Sequence, residues 1–155
     1  MSMVTLISRS PEETLALGEQ WGREAQRGWI IGLDGELGAG KTQLVRGIAR
    51  GLGSSARVHS PTFTLLNEYS GGRCRLFHID LFRLSHREEV AGAGLEEYLT
   101  NPDGITVVEW MTRWSGPDHQ RPNVGSRSSQ TRTRMAFIES IGEMERRITY
   151  EDSGA

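Results

Sequence analysis

The sequence predicts an α/β fold of three layers, in which a mostly parallel central sheet carries antiparallel hairpins. Trp29–Leu33 is a continuous apolar run, typical of a strand buried on both faces of a parallel sheet, and a glycine-rich turn joins it to an amphipathic helix. Ile105–Trp110 is a second apolar run of this kind. Paired β-type runs separated by short turns predict the antiparallel additions. The length of 155 residues fits a single domain over 1–155.

The first elements are a short β-type run, Val4–Ile7, and a helix with a clear start signal. Ser10 is a candidate N-cap, Pro11 takes the first helical position, and Glu13 completes a capping box. This helix is expected to end near Arg27-Gly28.

The remaining elements follow from apolar periodicity and turn residues. A helix beginning at Lys41 carries an apolar stripe and ends at Gly51 and Gly53. The other predicted elements are a hairpin of Phe63–Tyr69 with Arg75–Leu81, short helical pieces at His86–Ala91 and Leu95–Leu99, and a terminal hairpin of Met135–Ile141 with Arg146–Tyr150.

Composition excludes several classes of protein. The formal net charge of −2 gives no global basic field for non-specific binding to nucleic acid or membranes. Cys74 is the only cysteine, which rules out an intrachain disulfide framework and fits the reducing cytoplasm. No apolar run approaches the length of a spanning helix, and no secretory signal is present, so we expect a cytoplasmic protein without membrane contacts.

The glycine-rich turn is a complete phosphate-binding loop, Gly35-x-x-x-x-Gly40-Lys41-Thr42. Its glycines let backbone N–H groups point at phosphate oxygens, and the following helix adds its positive dipole end. The Lys41 ammonium is expected to reach the β- and γ-phosphates, and the Thr42 hydroxyl to bind Mg²⁺. Lys41 is also the only lysine, so the Asn-Lys-x-Asp motif that reads guanine is absent and ATP is favoured over GTP.

Two predicted strands end in carboxylates, Asp80 and Glu109, at the edge where ligands bind to α/β sheets. Either carboxylate is a candidate for holding Mg²⁺ or polarising the attacking water, and the pattern leaves that choice open. Ser60-Pro61-Thr62 is a candidate switch segment, and the Trp110 indole a candidate stacking surface for adenine. His78 is interpreted as a strand histidine rather than a ligand.

Four segments together resemble the TsaE (YjeE) family, bacterial P-loop ATPases that support threonylcarbamoyladenosine modification of tRNA. The segments are Gly35–Thr42, Ser60–Leu65, His78–Arg83 and Val108–Trp110. The resemblance implies a P-loop NTPase fold and weak ATP hydrolysis that assists a complex of TsaD and TsaB. That complex modifies adenosine 37 of tRNAs reading codons that begin with A. The protein would contact tRNA only indirectly, through the complex.

The resemblance and the loop motif together give the expected site. Carried over, Thr42 and Glu109 are similar to the Mg²⁺ ligands of the family, and Asp80 and Glu109 to its hydrolytic carboxylates. Nucleotide contacts are expected from Pro11, Leu37, Gly38, Ala39, Gly40, Lys41, Thr42, Gln43, Ser60, Trp110 and Arg146. Catalytic roles are expected for Lys41, Thr62, Asp80 and Glu109, and metal contacts for Thr42, Asp80 and Glu109.

The segment Gly116–Thr133 departs from the family pattern, because it is long, polar and rich in arginine. We interpret it as a mobile loop, with an arginine arm for RNA phosphates or a partner as the alternative. An arginine-rich lid of this kind also occurs in small-molecule kinases that use a P-loop. A kinase, or a nucleotide-gated binding module without catalysis, are therefore the rival functions.

Overall fold

The computed structural model describes residues 3–36, 39–61, 64–115 and 132–154. Within these ranges the chain forms seven strands and five helices. The strands are β1 (Met3–Ser8), β2 (Ile30–Gly35), β3 (Leu66–Tyr69), β4 (Leu76–Asp80), β5 (Ile105–Glu109), β6 (Thr133–Ser140) and β7 (Arg146–Ser153). The helices are α1 (Pro11–Glu24), α2 (Lys41–Gly51), α3 (Arg87–Gly92), α4 (Glu96–Thr100) and α5 (Thr112–Ser115).

The strands form one sheet in the order β1-β7-β6-β2-β5-β4-β3. The pairs β6–β2, β2–β5 and β5–β4 are parallel. The pairs β1–β7, β7–β6 and β4–β3 are antiparallel. The sheet is therefore mixed rather than mostly parallel, because it has three parallel and three antiparallel strand pairs. Both predicted hairpins are confirmed.

Helices cover both faces of the sheet. Consecutive strand residues point to opposite faces, and they enter two separate apolar cores. Ile31 and Val107 pack with α1 and α2, whereas Ile30 and Val108 pack with α3, α4 and α5. The predicted three-layer arrangement of helices, sheet and helices follows from this division.

Helix α1 lies against α2 with almost no side chains between the backbones. A Cβ atom at Gly18 would lie 2.3 Å from the Leu44 carbonyl oxygen, and one at Gly47 would lie 2.2 Å from that of Leu15. Only glycine permits so close an approach. The contact places the start of α1 beside the first turn of α2, where Gln43 Nε2 donates to the Pro11 carbonyl at 3.2 Å.

The start of α1 is confirmed, but its predicted end is wrong. Ser10 Oγ accepts the Glu13 N–H at 3.1 Å, and the Glu13 carboxylate accepts the Arg9 N–H at 2.8 Å. The helix ends at Glu24 rather than near Arg27-Gly28, because Ala25 is extended and buried. The Arg73 guanidinium, from the turn between β3 and β4, donates to carbonyl oxygens in the last turn, including that of Gly22.

The predicted loop Gly116–Thr133 falls mostly outside the described residues, which omit 116–131. Its last residue, Thr133, is the first residue of β6 and pairs with Ile30 of β2. The predicted boundary of the loop is therefore wrong at its C-terminal end, since pairing with β2 already begins there. No helix in the described part of the chain is both long and apolar enough to span a membrane.

Candidate functional site

The site lies at the carboxyl edge of the parallel core, where the ends of β2, β5 and β4 meet. Leu33 pairs with Glu109, and Glu109 pairs with Asp80, so three neighbouring strands end at one level. Asp34 follows Leu33 directly, and all three carboxylates are buried. The helix α2 begins beside them, after the glycine-rich turn.

Lys41 places the only ammonium side chain of the protein among these carboxylates. Its Nζ donates to the Gly35 carbonyl oxygen at 2.6 Å and lies 4.1 Å from the centroid of the Trp110 ring. The residue is 4% exposed. Burial lowers the pKa of Lys41, and the charges of Glu109, Asp80 and Asp34 oppose this shift without reversing it. The ammonium is therefore held in the fold at a net electrostatic cost.

The turn around Gly40 presents the N-terminus of α2. Gly40 has φ 103°, a left-handed conformation that favours glycine, and no side-chain hydrogen bond caps the helix in the described part of the chain. Gly35 has φ 154°, and a Cβ there would lie 2.4 Å from the Ile138 carbonyl oxygen. A helix start without a side-chain cap offers its N–H groups to an anion. Leu37 and Gly38 lie outside the described residues.

The two predicted carboxylates have different neighbours. Glu109 Oε2 lies 2.6 Å from Nε2 of His78, which is completely buried. Asp80 Oδ1 accepts the Phe82 N–H at 2.9 Å. One oxygen of Glu109 is thus fixed by an imidazole, and one oxygen of Asp80 by its own backbone turn.

His78 and Asp34 are site residues that the sequence interpretation missed. His78 precedes Asp80 by two positions, so both side chains lie on the face of the sheet that Glu109 also occupies. Strand alternation together with the register of β4 and β5 was the signal that would have identified His78. Asp34 lies one position beyond Leu33, the register partner of Glu109, and directly follows the apolar run of β2.

Trp110 lies beside Lys41 in this structure. It has φ 62°, and its N–H donates to the Leu33 carbonyl oxygen at 2.9 Å. Its ring lies beside the Lys41 ammonium and 5.3 Å from the ring of Phe82. The prediction that it stacks on adenine stays a prediction.

Arg146 comes from the opposite direction, at the start of β7. Its Nε donates to the Ala39 carbonyl oxygen at 3.0 Å, which attaches the terminal hairpin to the glycine-rich loop between β2 and α2. Arg147 instead reaches the Glu139 carboxylate at 3.3 Å. Of the two neighbouring arginines, Arg146 is thus the one that contacts the loop.

Other predicted residues lie near the site or outside the described ranges. Thr42 is half-buried in the first turn of α2, beside Gln43. Ser60 is exposed in the segment after α2, and Thr62 is not among the described residues. No group of three His, Cys, Asp or Glu side chains in the described ranges is arranged to hold a metal ion. A metal here would need further ligands, such as a hydroxyl and phosphate oxygens.

Comparisons with known proteins agree on one family. The profile described as threonylcarbamoyl adenosine biosynthesis protein TsaE matches residues 8–136. The tRNA threonylcarbamoyladenosine biosynthesis protein TsaE of Nostoc is 43% identical over 114 residues, which cover 72% of this chain and 70% of the relative. The protein of that name from Synechocystis is 49% identical over 102 residues, 61% of this chain and 64% of the relative. The match therefore spans slightly less than two-thirds of the Synechocystis protein.

A solved structure extends the likeness to nearly the whole chain. The crystal structure of YdiB from Bacillus subtilis is similar to this fold with a TM-score of 0.73 and 30% sequence identity. The similarity covers 99% of this chain and 87% of that chain. By profile, by relatives and by structure, the chain belongs to the TsaE family.

Proposed function

We propose that this protein binds Mg·ATP and hydrolyses it, as an accessory protein of tRNA threonylcarbamoyladenosine modification. The observation that carries the proposal is the buried Lys41 ammonium, which lies between three carboxylates and a helix start that no described side chain caps. The electrostatic cost of burying the Lys41 ammonium is explained if a bound polyphosphate compensates its charge. The ordinary role of a Lys at this loop position is to contact the β- and γ-phosphates.

The residues present fit both ATP and Mg²⁺. The glycines at 35 and 40 allow a backbone cradle, and the start of α2 faces it with its positive dipole end. Mg²⁺ is normally bound through one or two carboxylates together with phosphate oxygens, and Asp80 and Glu109 can supply those carboxylates, with the Thr42 hydroxyl beside them. Bound Mg²⁺ would neutralise charge on the β- and γ-phosphates.

The chain's own groups then divide the remaining work. Lys41 and the loop amides stabilise negative charge that develops during transfer, and Asp80 or Glu109 orients the attacking water. Arg146, which contacts the loop at Ala39, also donates to the carbonyl oxygens of Gly142 and Glu145. Its guanidinium is therefore committed to the backbone, and we expect slow turnover by the isolated protein.

The biological context of the proposal follows from the family and the resemblance. The matched profile and relatives are described by threonylcarbamoyladenosine biosynthesis. We propose that TsaD and TsaB are the partners, that tRNA is contacted through them, and that hydrolysis resets their complex in the cytoplasm. Mass spectrometry of tRNA nucleosides tests this role: cells lacking the protein should lose the modified adenosine, and unchanged levels would contradict it.

Calorimetry and hydrolysis assays test the ATPase proposal. Wild-type protein should bind Mg·ATP, Lys41→Met should lose binding, and Glu109→Gln should retain binding but lose roughly 10²-fold or more in turnover. Arg147→Met is a matched surface control that should behave like wild type. If hydrolysis and tRNA modification are both unchanged in Glu109→Gln, the catalytic role of Glu109 is wrong, and a nucleotide-gated binding module is favoured. Transfer of the phosphoryl group to a metabolite instead of water would favour the kinase.

A further inference from the structure

A chain of hydrogen bonds leads from the candidate catalytic carboxylate to the backbone at the candidate switch segment. Glu109 Oε2 lies 2.6 Å from His78 Nε2, and His78 Nδ1 lies 3.4 Å from the Tyr69 hydroxyl. The same hydroxyl lies 2.9 Å from the carbonyl oxygen of His59 and 3.0 Å from its N–H. His59 immediately precedes Ser60.

This Tyr69–His78–Glu109 chain lies inside the protein. His78 is completely buried, Glu109 is 4% exposed and Tyr69 is 7% exposed. Buried polar groups in such a chain are strongly constrained, because each lost hydrogen bond leaves a desolvated atom without a partner. The hydrogen-bonded chain therefore holds the three side chains in defined orientations, which they would not keep if exposed to solvent.

The donors and acceptors define one arrangement for a neutral imidazole. An ionised Glu109 can only accept, so Nε2 of His78 carries the hydrogen and Nδ1 is left as an acceptor. The single hydroxyl proton of Tyr69 then has two acceptors, the His59 carbonyl oxygen and His78 Nδ1. Both acceptors lie within hydrogen-bonding distance, His59 at 2.9 Å and His78 at 3.4 Å, so the hydroxyl hydrogen is shared between them with His59 the closer acceptor.

We propose that His78 is a positioning residue that orients the Glu109 carboxylate, and that Tyr69 connects this orientation to the backbone at His59. This inference rests on the proposed function, because it assigns Glu109 the task of orienting water or Mg²⁺. With His78 holding one carboxylate oxygen, the other oxygen keeps a fixed direction toward the reacting groups. A shift of the His59 backbone would turn the Tyr69 O–H further toward His78 Nδ1 without moving the proton off the hydroxyl. The change in this hydrogen bond would reach Glu109 through the imidazole ring.

Two amide substitutions separate positioning from a structural role. Gln at position 78 can place an amide N–H near the position of Nε2, whereas Asn can place one only near Nδ1. We expect His78→Asn to lower the single-turnover rate of Mg·ATP hydrolysis by roughly 10–100-fold, the usual effect of removing a partner that orients a ligand. His78→Gln should restore the rate to within about threefold of wild type. The Mg·ATP Kd, measured by calorimetry, should change less than about twofold in both variants.

Tyr69→Phe tests the second link, and His86→Asn is the matched control. Loss of the hydroxyl should lower the rate less than His78→Asn does, because the ring still reaches Glu109. His86 is exposed and pairs with the exposed Glu88 at the start of α3, so its substitution should leave rate and Kd unchanged. Equal losses in His78→Asn and His78→Gln, or no loss in either, would overturn the inference.

Nitrogen NMR of the four histidine rings shows which ring nitrogen of His78 carries the hydrogen. In the wild-type protein this measurement depends neither on activity nor on the folding of a variant. In the wild-type protein without nucleotide, His78 should carry its hydrogen on Nε2, and Tyr69→Phe should shift the Nδ1 resonance. A ring with the hydrogen on Nδ1 would overturn the inference. If wild-type protein fails to hydrolyse Mg·ATP, the proposed function falls together with the kinetic role of His78. If wild-type protein hydrolyses Mg·ATP but His78 carries its hydrogen on Nδ1, the inference about His78 is overturned and the proposed function is not.

Discussion

Substitution of Arg134 tests the energetics of the buried ion pair that holds the terminal hairpin. Its Nε and Nη2 donate to the two oxygens of Asp152 at 2.7 and 2.9 Å, and Nη1 donates to Glu24 at 3.0 Å. Arg134 is 5% exposed, and its guanidinium lies 5.0 Å from the ring of Trp21 and 4.5 Å from that of Tyr150. Arg134→Met keeps the apolar volume and removes every hydrogen bond.

The expected loss is about 3 kcal/mol of unfolding free energy. Breaking a buried pair by removing one partner costs ~3–5 kcal/mol, and the lower end applies because Asp152 is partly exposed and can be rehydrated. For a chain of this size about 3 kcal/mol corresponds to a fall in Tm of roughly 6–12 °C. Arg132→Met is the matched control: Arg132 reaches the same Asp152 at 3.3 Å but is 41% exposed, so it should cost below about 1 kcal/mol.

Thermal and urea denaturation of the ligand-free protein measure the unfolding free energy that each variant loses. The pH dependence of the loss in Arg134→Met is a second test. The hydrogen bonds from Arg134 lower the pKa of Asp152 below its ordinary value of 3.8. The stabilisation is therefore complete above that value and is lost as the pH falls through the lowered pKa, so the gap between wild type and Arg134→Met should narrow below about pH 4. Equal losses for Arg134→Met and Arg132→Met, or a gap that widens in acid, would refute this reasoning.

Three further predictions concern the site and its support. Lys41→Met should not lower the Tm of the ligand-free protein, because burial lowers the pKa of this ammonium and its charge therefore does not stabilise the fold. The variant should nevertheless lose Mg·ATP binding. A large fall in Tm would show that the charge stabilises the fold. Gly47→Ala should destabilise by about 1–3 kcal/mol in urea denaturation, since its Cβ meets α1 backbone, whereas Gly92→Ala, with open space, should be neutral or stabilising. Arg146→Met should weaken Mg·ATP binding in calorimetry by detaching β7 from the glycine-rich loop before α2, and Arg147→Met should not.

Local signals predicted the elements that depend on neighbouring residues. The strand β2, the loop and the start of α2 follow each other along the chain, and apolar runs, glycine spacing and helical periodicity were sufficient to identify them. Ser10 and Pro11 marked the start of α1 for the same reason. The end of α1 could not be predicted, because Arg73 caps it from a turn almost fifty residues later.

Contacts between distant segments explain what the sequence did not reveal. The order of strands places β6 beside β2, with Thr133 opposite Ile30, and no local pattern encodes that pairing. The contact of His78 with Glu109 depends on the register of β4 and β5. A histidine in an apolar strand therefore looked structural until its neighbour across the sheet was known.

The geometry at the carboxyl edge of the parallel strands bears on why the protein keeps the Lys41 ammonium despite its electrostatic cost. Three parallel strands end together in acidic residues, and the rigid contact of α1 with α2 holds Lys41 among them with its pKa lowered by burial. A site optimised for the ligand-free state would have replaced this ammonium with an apolar side chain. In the proposed function a bound polyanion offsets this cost. Mg·ATP should then stabilise wild type by RT ln(1 + [L]/Kd), about 2.7 kcal/mol of unfolding free energy at a hundredfold excess over Kd, and raise its Tm accordingly. Differential scanning fluorimetry should detect this rise in wild type and lose it in Lys41→Met, and a rise of equal size in both proteins would mean that the nucleotide is held by something other than this loop.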